Sequence, residues 1–393
     1  MSVSKTVSGQ LAQASWIRRM FEEGARLAAE RGPENVYDFT LGNPDVEPPP
    51  AVLDALRRAV DEPQPRMHGY MPNAGFPAVR EAIAGGLRAR TGLPYTASHV
   101  LMTCGAAGAM NAALKAMFDP GDEAIVLVPY FPEYRFYIEN HGGRVVPVET
   151  DEQFRPDPDR IAAAITPRTK TLVLNSPNNP TGTVYSEETL RALGAVLERH
   201  PDLTVLSDEP YRALVYDGKA APSPALFIAR TLICDSYSKS MAIAGERIGY
   251  LAISPCIPEW TDLRDACTFT NRILGYVNAP AIWQRVVAAA GDATVDPREY
   301  QAKRDLVCDA LSAMGYDAPR PEGAFYVFPR TPTADDVAFV RLLLQEGILA
   351  VPGSGFGRPG YFRLSLTVLR ATIERSLPGF ARALDLARVP KSR

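Results

Sequence analysis

Residues 171–182 read Thr171-Leu172-Val173-Leu174-Asn175-Ser176-Pro177-Asn178-Asn179-Pro180-Thr181-Gly182. A short apolar run ends abruptly on a loop of proline, asparagine and glycine. An apolar run of this length, bounded by turn residues and with no polar alternation, is the pattern of a strand buried on both faces, as in a parallel sheet. The same unit recurs on either side. Strands are predicted at Val100–Thr103, Ala124–Val128, Arg144–Val148, Thr171–Asn175, Leu203–Ser207, Thr231–Asp235 and Ile248–Ile253. Helical patterns fall between them at Ala106–Met117, Glu133–Asn140, Asp159–Ala164 and Glu187–Arg199. Strand–helix alternation with few long loops predicts an α/β domain with a mainly parallel sheet. Ligands in such sheets sit beyond the carboxyl ends of the strands.

The pattern changes after Pro280. Ala281–Ala290 and Arg298–Met314 read as helices, Ala324–Phe328 and Phe362–Ser365 as strands, and Ala371–Ala387 as a closing helix with a possible break at Pro378. This predicts a smaller α+β domain over 282–393, a large domain over 46–281, and an N-terminal arm over 1–45 packing with the small domain. The breaker-rich loop Gly42–Pro50 separates arm from large domain. Within the arm, Ser15–Arg31 has helical periodicity, with Trp16, Ile17, Met20 and Leu27 on one side.

Composition bounds the function. The chain has 393 residues, 46% hydrophobic and 22% charged, with a formal net charge of −3. Such a balance fits an ordinary globular protein and argues against nucleic acid or acidic membranes as general partners. Five cysteines without paired spacing predict neither a disulfide framework nor a metal site. The first residues lack an apolar stretch of signal length, and no run is long enough to span a bilayer. A cytoplasmic protein is expected.

Four segments follow strand ends and carry chemistry. Ser236-Tyr237-Ser238-Lys239 precedes Gly245-Glu246-Arg247. A lysine that must form an imine needs its amine partly neutral, and cationic neighbours with burial lower its pKa. Taken alone, a solvated lysine on a loop suits the segment equally well. In Ser207-Asp208-Glu209-Pro210-Tyr211, a carboxylate at a buried strand end requires a cationic partner, unless it merely caps a helix. The loop 175–182 offers the Asn179 amide, or is an ordinary turn. Thr103-Cys104-Gly105-Ala106-Ala107-Gly108 could hold a phosphate on the backbone N–H groups of a helix start, or could simply allow close packing.

The order is a Gly-rich turn, an aromatic, Asn-Pro-Thr-Gly, Asp-x-x-Tyr, Ser-x-Ser-Lys, an Arg, then a late Arg. It resembles the class I/II aminotransferases of the fold-type-I pyridoxal-phosphate enzymes, over Gly42 to Arg363. The resemblance implies a homodimer that uses pyridoxal 5′-phosphate to move an amino group from an L-amino acid to a 2-oxo acid by a ping-pong route. It implies that Lys239 holds the cofactor as a Schiff base and acts as general base, and that Asp208 pairs with the pyridine nitrogen. Asn179 and Tyr211 would bond the phenolate oxygen, and Phe131 rather than Tyr130 would stack on the ring. Gly105, Ala106, Ala107, Ser236, Ser238 and Arg247 would hold the phosphate. Many members carry Ser or Thr in the 105–107 turn, so its backbone would do more of the work here. Tyr70 would reach the phosphate of the neighbouring subunit. Arg363 would clamp the substrate α-carboxylate, assisted by Asn179 and Gly42. The four histidines match no catalytic position.

Substrate choice stays open at this level. Arg272 falls near, but one position off, the distal-carboxylate arginine of some aspartate aminotransferases, and Arg18 and Arg19 are other candidates. Other chemistry on the same scaffold, such as β-elimination, cyclisation or oxygen-dependent oxidation of an amino acid, is an alternative. A transcriptional regulator keeping this fold would need an added DNA-binding domain, for which there is no room before Gly42.

Overall fold

The computed structural model describes residues 3–13, 23, 24, 26, 27, 29–62 and 65–388. Twelve strands occur in chain order among them: β1 (Tyr37–Asp38), β2 (Val100–Thr103), β3 (Glu123–Val128), β4 (Arg144–Glu149), β5 (Thr169–Asn175), β6 (Thr204–Asp208), β7 (Thr231–Ser236), β8 (Gly249–Ile253), β9 (Tyr326–Val327), β10 (Ile348–Leu349), β11 (Val351–Pro352) and β12 (Phe362–Ser365). Seven form one sheet in the order β2-β8-β7-β6-β5-β3-β4. All run the same way except β8, which is antiparallel to both neighbours. The expected α/β class with a mainly parallel sheet is what the structure shows.

Side-chain alternation explains why these strands look uniformly apolar. On β3, Ala124 and Val126 face one core and Ile125 and Leu127 another. On β5, Val173 joins the first and Leu172 and Leu174 the second. Helices cover both faces, so neither side of the pleat meets water.

The remaining strands build a three-stranded antiparallel sheet, β11-β12-β9, and a parallel pair, β1-β10. Their core gathers Phe39, Phe339, Phe362 and Phe380 with the helix Pro297–Met314. Phe39 and Phe380 lie 6.1 Å apart, so the segment just after β1 is bound into this core. The N–H of Ser365 donates to Phe39 O at 2.9 Å, which delivers Thr40–Gly42 to the end of β12.

Several elements differ from expectation. Helices at Lys5–Gln13, Pro50–Asp61, Pro77–Thr91, Trp260–Ile273 and Asp336–Gln345 lack the clean strand–helix punctuation used above. The strand expected at Ala324–Phe328 pairs only over Tyr326–Val327. The last helix continues from Arg370 to Arg388 with Pro378 inside it. Proline there removes one hydrogen bond, while Ile373, Phe380 and Leu384 on one side stay buried and hold the turns together. Trp16, Ile17 and Met20 lie outside the described residues, while Leu27 is buried.

The two lobes meet at the loop after β5. Gly182 has φ +70°, and a Cβ there would sit 2.3 Å from Pro321 Cβ and 2.6 Å from Gly323 O. Its carbonyl accepts the N–H groups of Glu322 and Gly323 at 3.0 and 2.9 Å. A Gly182→Ala substitution should therefore destabilise the protein by several kcal/mol, combining left-handed strain of about 1 kcal/mol with overpacking of about 1–3 kcal/mol. Gly121→Ala isolates the strain alone, since φ is +96° with nothing within 4 Å of the new Cβ. Urea denaturation of the two variants should place G182A well below G121A.

Candidate active site

Parallel register aligns three strand ends. Asn175 on β5 pairs with Asp208 on β6, and Asp208 with Cys234 on β7. Asn175 Nδ2 donates to Asp208 O at 2.9 Å, and Asn175 Oδ1 accepts the Asn179 N–H at 2.7 Å. One asparagine thus ties the end of β6 to the loop that carries Asn179. Beyond these ends opens a cavity of about 360 Å³ lined by residues from both lobes.

Asp208 is buried on its floor. Tyr134 donates its hydroxyl proton to Oδ2 at 2.5 Å, while Oδ1 has no partner. Burial raises the carboxyl pKa to about 7; the Tyr134 bond opposes the rise, and Asp235 and Glu209 add to it. A buried carboxylate with one empty oxygen calls for a cationic or N–H donor.

Lys239 lies in the short helical turn Tyr237–Ser240 directly after β7. Ser236 caps that turn by accepting the Ser238 N–H at 3.3 Å. Lys239 Nζ donates to Gly42 O at 2.6 Å. Burial, with the charges of Arg247 and Arg363, lowers its pKa to about 8. At neutral pH a usable fraction of this amine is unprotonated.

One end of the cavity suits an anion. The helix Gly105–Met117 begins there, and its N-cap Cys104 makes no side-chain capping bond, so first-turn N–H groups face outward unclaimed by a side chain. Gly105 has φ +73°, and a Cβ on it would sit 3.0 Å from Arg247 Nη2. Ala106, Ala107, Ser236, Ser238 and Arg247 line this end.

The opposite end suits a carboxylate. Arg363 on β12 is buried between the rings of Tyr326 and Phe356, at 4.6 and 4.8 Å. Its Nη1 donates to Asn179 Oδ1 at 3.0 Å and Nη2 to Thr40 O at 2.5 Å, leaving Nε without a partner. Tyr211 and Tyr326 share a hydroxyl contact of 3.1 Å beside it. Phe131 forms the wall next to Tyr134, with ring centroids 5.5 Å apart.

The structure therefore brings Lys239, Asp208, Tyr211, Asn179, Phe131, Arg363, Gly42 and the anion cluster to one place. Tyr70 is not among them: it is 97% exposed in the protomer. Arg272 is exposed too, stacked on Phe269 at 5.4 Å and away from the cavity. Arg18 and Arg19 lie outside the described residues. Sequence reasoning missed Tyr134, Asn175, Tyr326 and Glu133, all of which line the cavity. Asn175 stands four residues before Asn179, a detectable signal. Tyr134 meets Asp208 across 74 positions, which no local pattern reveals.

The "Aminotransferase class I and II" family profile matches residues 34–378. The aspartate/prephenate aminotransferase of Thermus thermophilus is 39% identical over 371 residues, covering 92% of this chain and 94% of that protein. The aspartate aminotransferase of Geobacillus stearothermophilus is 36% identical over 367 residues, covering 87% and 90%. Among solved structures, an amino transferase from Eubacterium rectale superposes with a TM-score of 0.95 at 37% identity, covering 99% of this chain and 100% of that one. An aspartate aminotransferase from Thermus thermophilus with maleate gives 0.87 at 35%, covering 98% and 100%. By sequence, fold and the order of its cavity residues, this chain belongs to the class I and II aminotransferases.

Proposed function

We propose that the cavity holds pyridoxal 5′-phosphate and that Lys239 anchors it while an amino group passes from an L-amino acid to a 2-oxo acid. The observation that carries this reading is the buried, unpartnered Oδ1 of Asp208, in the same cavity as a lysine of lowered pKa. A pyridinium N–H fits that oxygen, and the Gly105–Arg247 end fits a phosphate.

When bound, the cofactor supplies a conjugated cationic ring that draws electrons from the substrate's α-carbon. The chain's residues do the rest. Asp208, held in place by Tyr134 and by the Asn175 bond to its backbone, would set a negative charge against the ring nitrogen. Asn179 and Tyr211 would hold the ring's oxygen, and Phe131, on the same cavity wall, would cover the ring. Arg363 holds the α-carboxylate in a planar fork, fixed by Asn179 and Thr40 before substrate arrives. Lys239 Nζ then takes the α-proton.

A homodimer belongs to the same reading. A tyrosine at 97% exposure, at the position where the resemblance expects a phosphate contact to a neighbouring subunit, is suited to that reach. The division into an arm (1–45), a cofactor domain (46–281) and a small domain (282–393), and a cytoplasmic setting, complete it. Among the described residues no helix is long and apolar enough to cross a membrane.

The purified protein with added cofactor should show an absorbance band near ~420 nm that Lys239→Ala abolishes. An amino acid alone should discharge the band and a 2-oxo acid restore it. A band lost to amino acid with release of ammonia or peroxide would overturn transfer, and no band would overturn the cofactor.

Arg363→Lys should lower kcat/KM for every amino acid by about 10²-fold or more, because a point charge cannot replace two parallel N–H donors. Steady-state kinetics across several donors would show a uniform loss.

The cofactor-free protein should also carry a pH signature. Asp208 has a folded pKa of about 7 against an ordinary ~3.9, so the folded chain binds the extra proton and stability falls as pH rises between those values. Lys239 has a folded pKa of about 8 against ~10.4, so the unfolded chain binds the extra proton and stability rises across that window. Denaturation of D208N and K239M against wild type should remove the first and second slopes respectively.

A further inference from the structure

Five charged side chains line the cavity: Glu133, Asp208, Lys239, Arg247 and Arg363. The proposed function employs four. Glu133 opens the helix Glu133–Asn140, two residues after Phe131, and has no task in it. Its Oε2 is sealed from solvent without a hydrogen-bond partner. Burial pushes its carboxyl above the usual range, while its own N–H and the charge of Arg363 pull the other way. Its charge also bears on the hydroxyls of Tyr137 and Tyr326.

Charge balance identifies what belongs opposite it. Arg363 offsets Glu133 only until a substrate α-carboxylate occupies the guanidinium. Glu133, half-buried with one carboxylate oxygen sealed off, then carries a charge that Arg363 no longer offsets, which is costly. Its place at a helix N-terminus favours the ionised form. A substrate side chain ending in a cation or N–H donors relieves the imbalance, and one ending in a carboxylate deepens it.

We propose that Glu133 determines side-chain specificity and selects amino donors whose side chain ends in a cationic, N–H-bearing group over dicarboxylic ones. This rests on Arg363 holding the α-carboxylate. Aspartate, the substrate in the relatives' names, carries the wrong charge for this wall.

The test uses holoenzyme with L-lysine, L-ornithine, L-norleucine and L-aspartate in wild type, Glu133→Gln and Glu133→Asp. Binding of the corresponding 2-methyl amino acids, which have no α-proton to lose, is measured by calorimetry alongside. The wild type should favour lysine over its uncharged counterpart norleucine by at least about tenfold in kcat/KM, the size of one hydrogen bond to a charged group. E133Q should bring that ratio near one and improve aspartate, while keeping the cofactor's visible band. E133D should keep the preference. The 2-methyl compounds should follow the same order in Kd. Preference for aspartate in wild type, or a lysine-to-norleucine ratio unchanged in E133Q, would overturn the proposal. Selective binding of 2-methyllysine without conversion of any donor would support Glu133's role and count against transamination alone.

Discussion

The buried carboxylate of Asp208 is the constraint around which the site is arranged. A charge at the end of a central strand loses its hydration, and one of its oxygens has no partner in the protein. The fold tolerates this because Tyr134 binds the other oxygen and Asn175 binds the backbone beside it. Removing either support would leave the carboxylate both desolvated and unaimed. Parallel pairing of β5, β6 and β7 aligns their carboxyl ends, so Asp208 at the end of β6, Asn179 on the loop after β5 and Lys239 in the turn after β7 emerge on the same side.

The second half of the site comes from the other lobe, and its attachment is mostly backbone. Gly182 accepts two N–H groups from residues 322 and 323, and Leu214 O accepts the N–H of Ala324. These bonds place Tyr326 against Tyr211 and bring Arg363 over the strand ends. Ser365, two residues beyond Arg363 on β12, in turn donates its N–H to Phe39 O and so delivers Thr40 and Gly42. Arg363 is thereby fixed by two hydrogen bonds and two ring faces, and Lys239 has a carbonyl on which to rest. Positive charge from Arg363 and Arg247 then reaches Lys239, so the carboxylate and phosphate ends of the cavity both help keep its amine partly neutral.

Much of this was legible in the chain. The strands from Val100 to Ile253 announce themselves as short apolar runs because both faces of the sheet are covered, and their ends fall within two residues of expectation. The motifs at 103–108, 175–182, 207–211 and 236–247 follow those strands, so their convergence follows from parallel topology. The helices Pro50–Asp61 and Pro77–Thr91 were harder to see. Gly85-Gly86 interrupts the second, which packing rather than local preference makes helical, whereas the first, with Pro at its start and Ala, Leu and Arg along it, is locally favoured.

Local order along the chain therefore determined the α/β class, the strand ends and the identity of the lysine, aspartate and asparagine, because each of these depends on residues adjacent in sequence. Only the tertiary structure decided that Tyr134 binds Asp208, that Arg363 is buried between Tyr326 and Phe356, and that Glu133 lines the cavity. Those facts depend on how two lobes close on one another, and charge and hydrogen-bond balance in a closed cavity is a property of neighbours in space that sequence spacing does not encode.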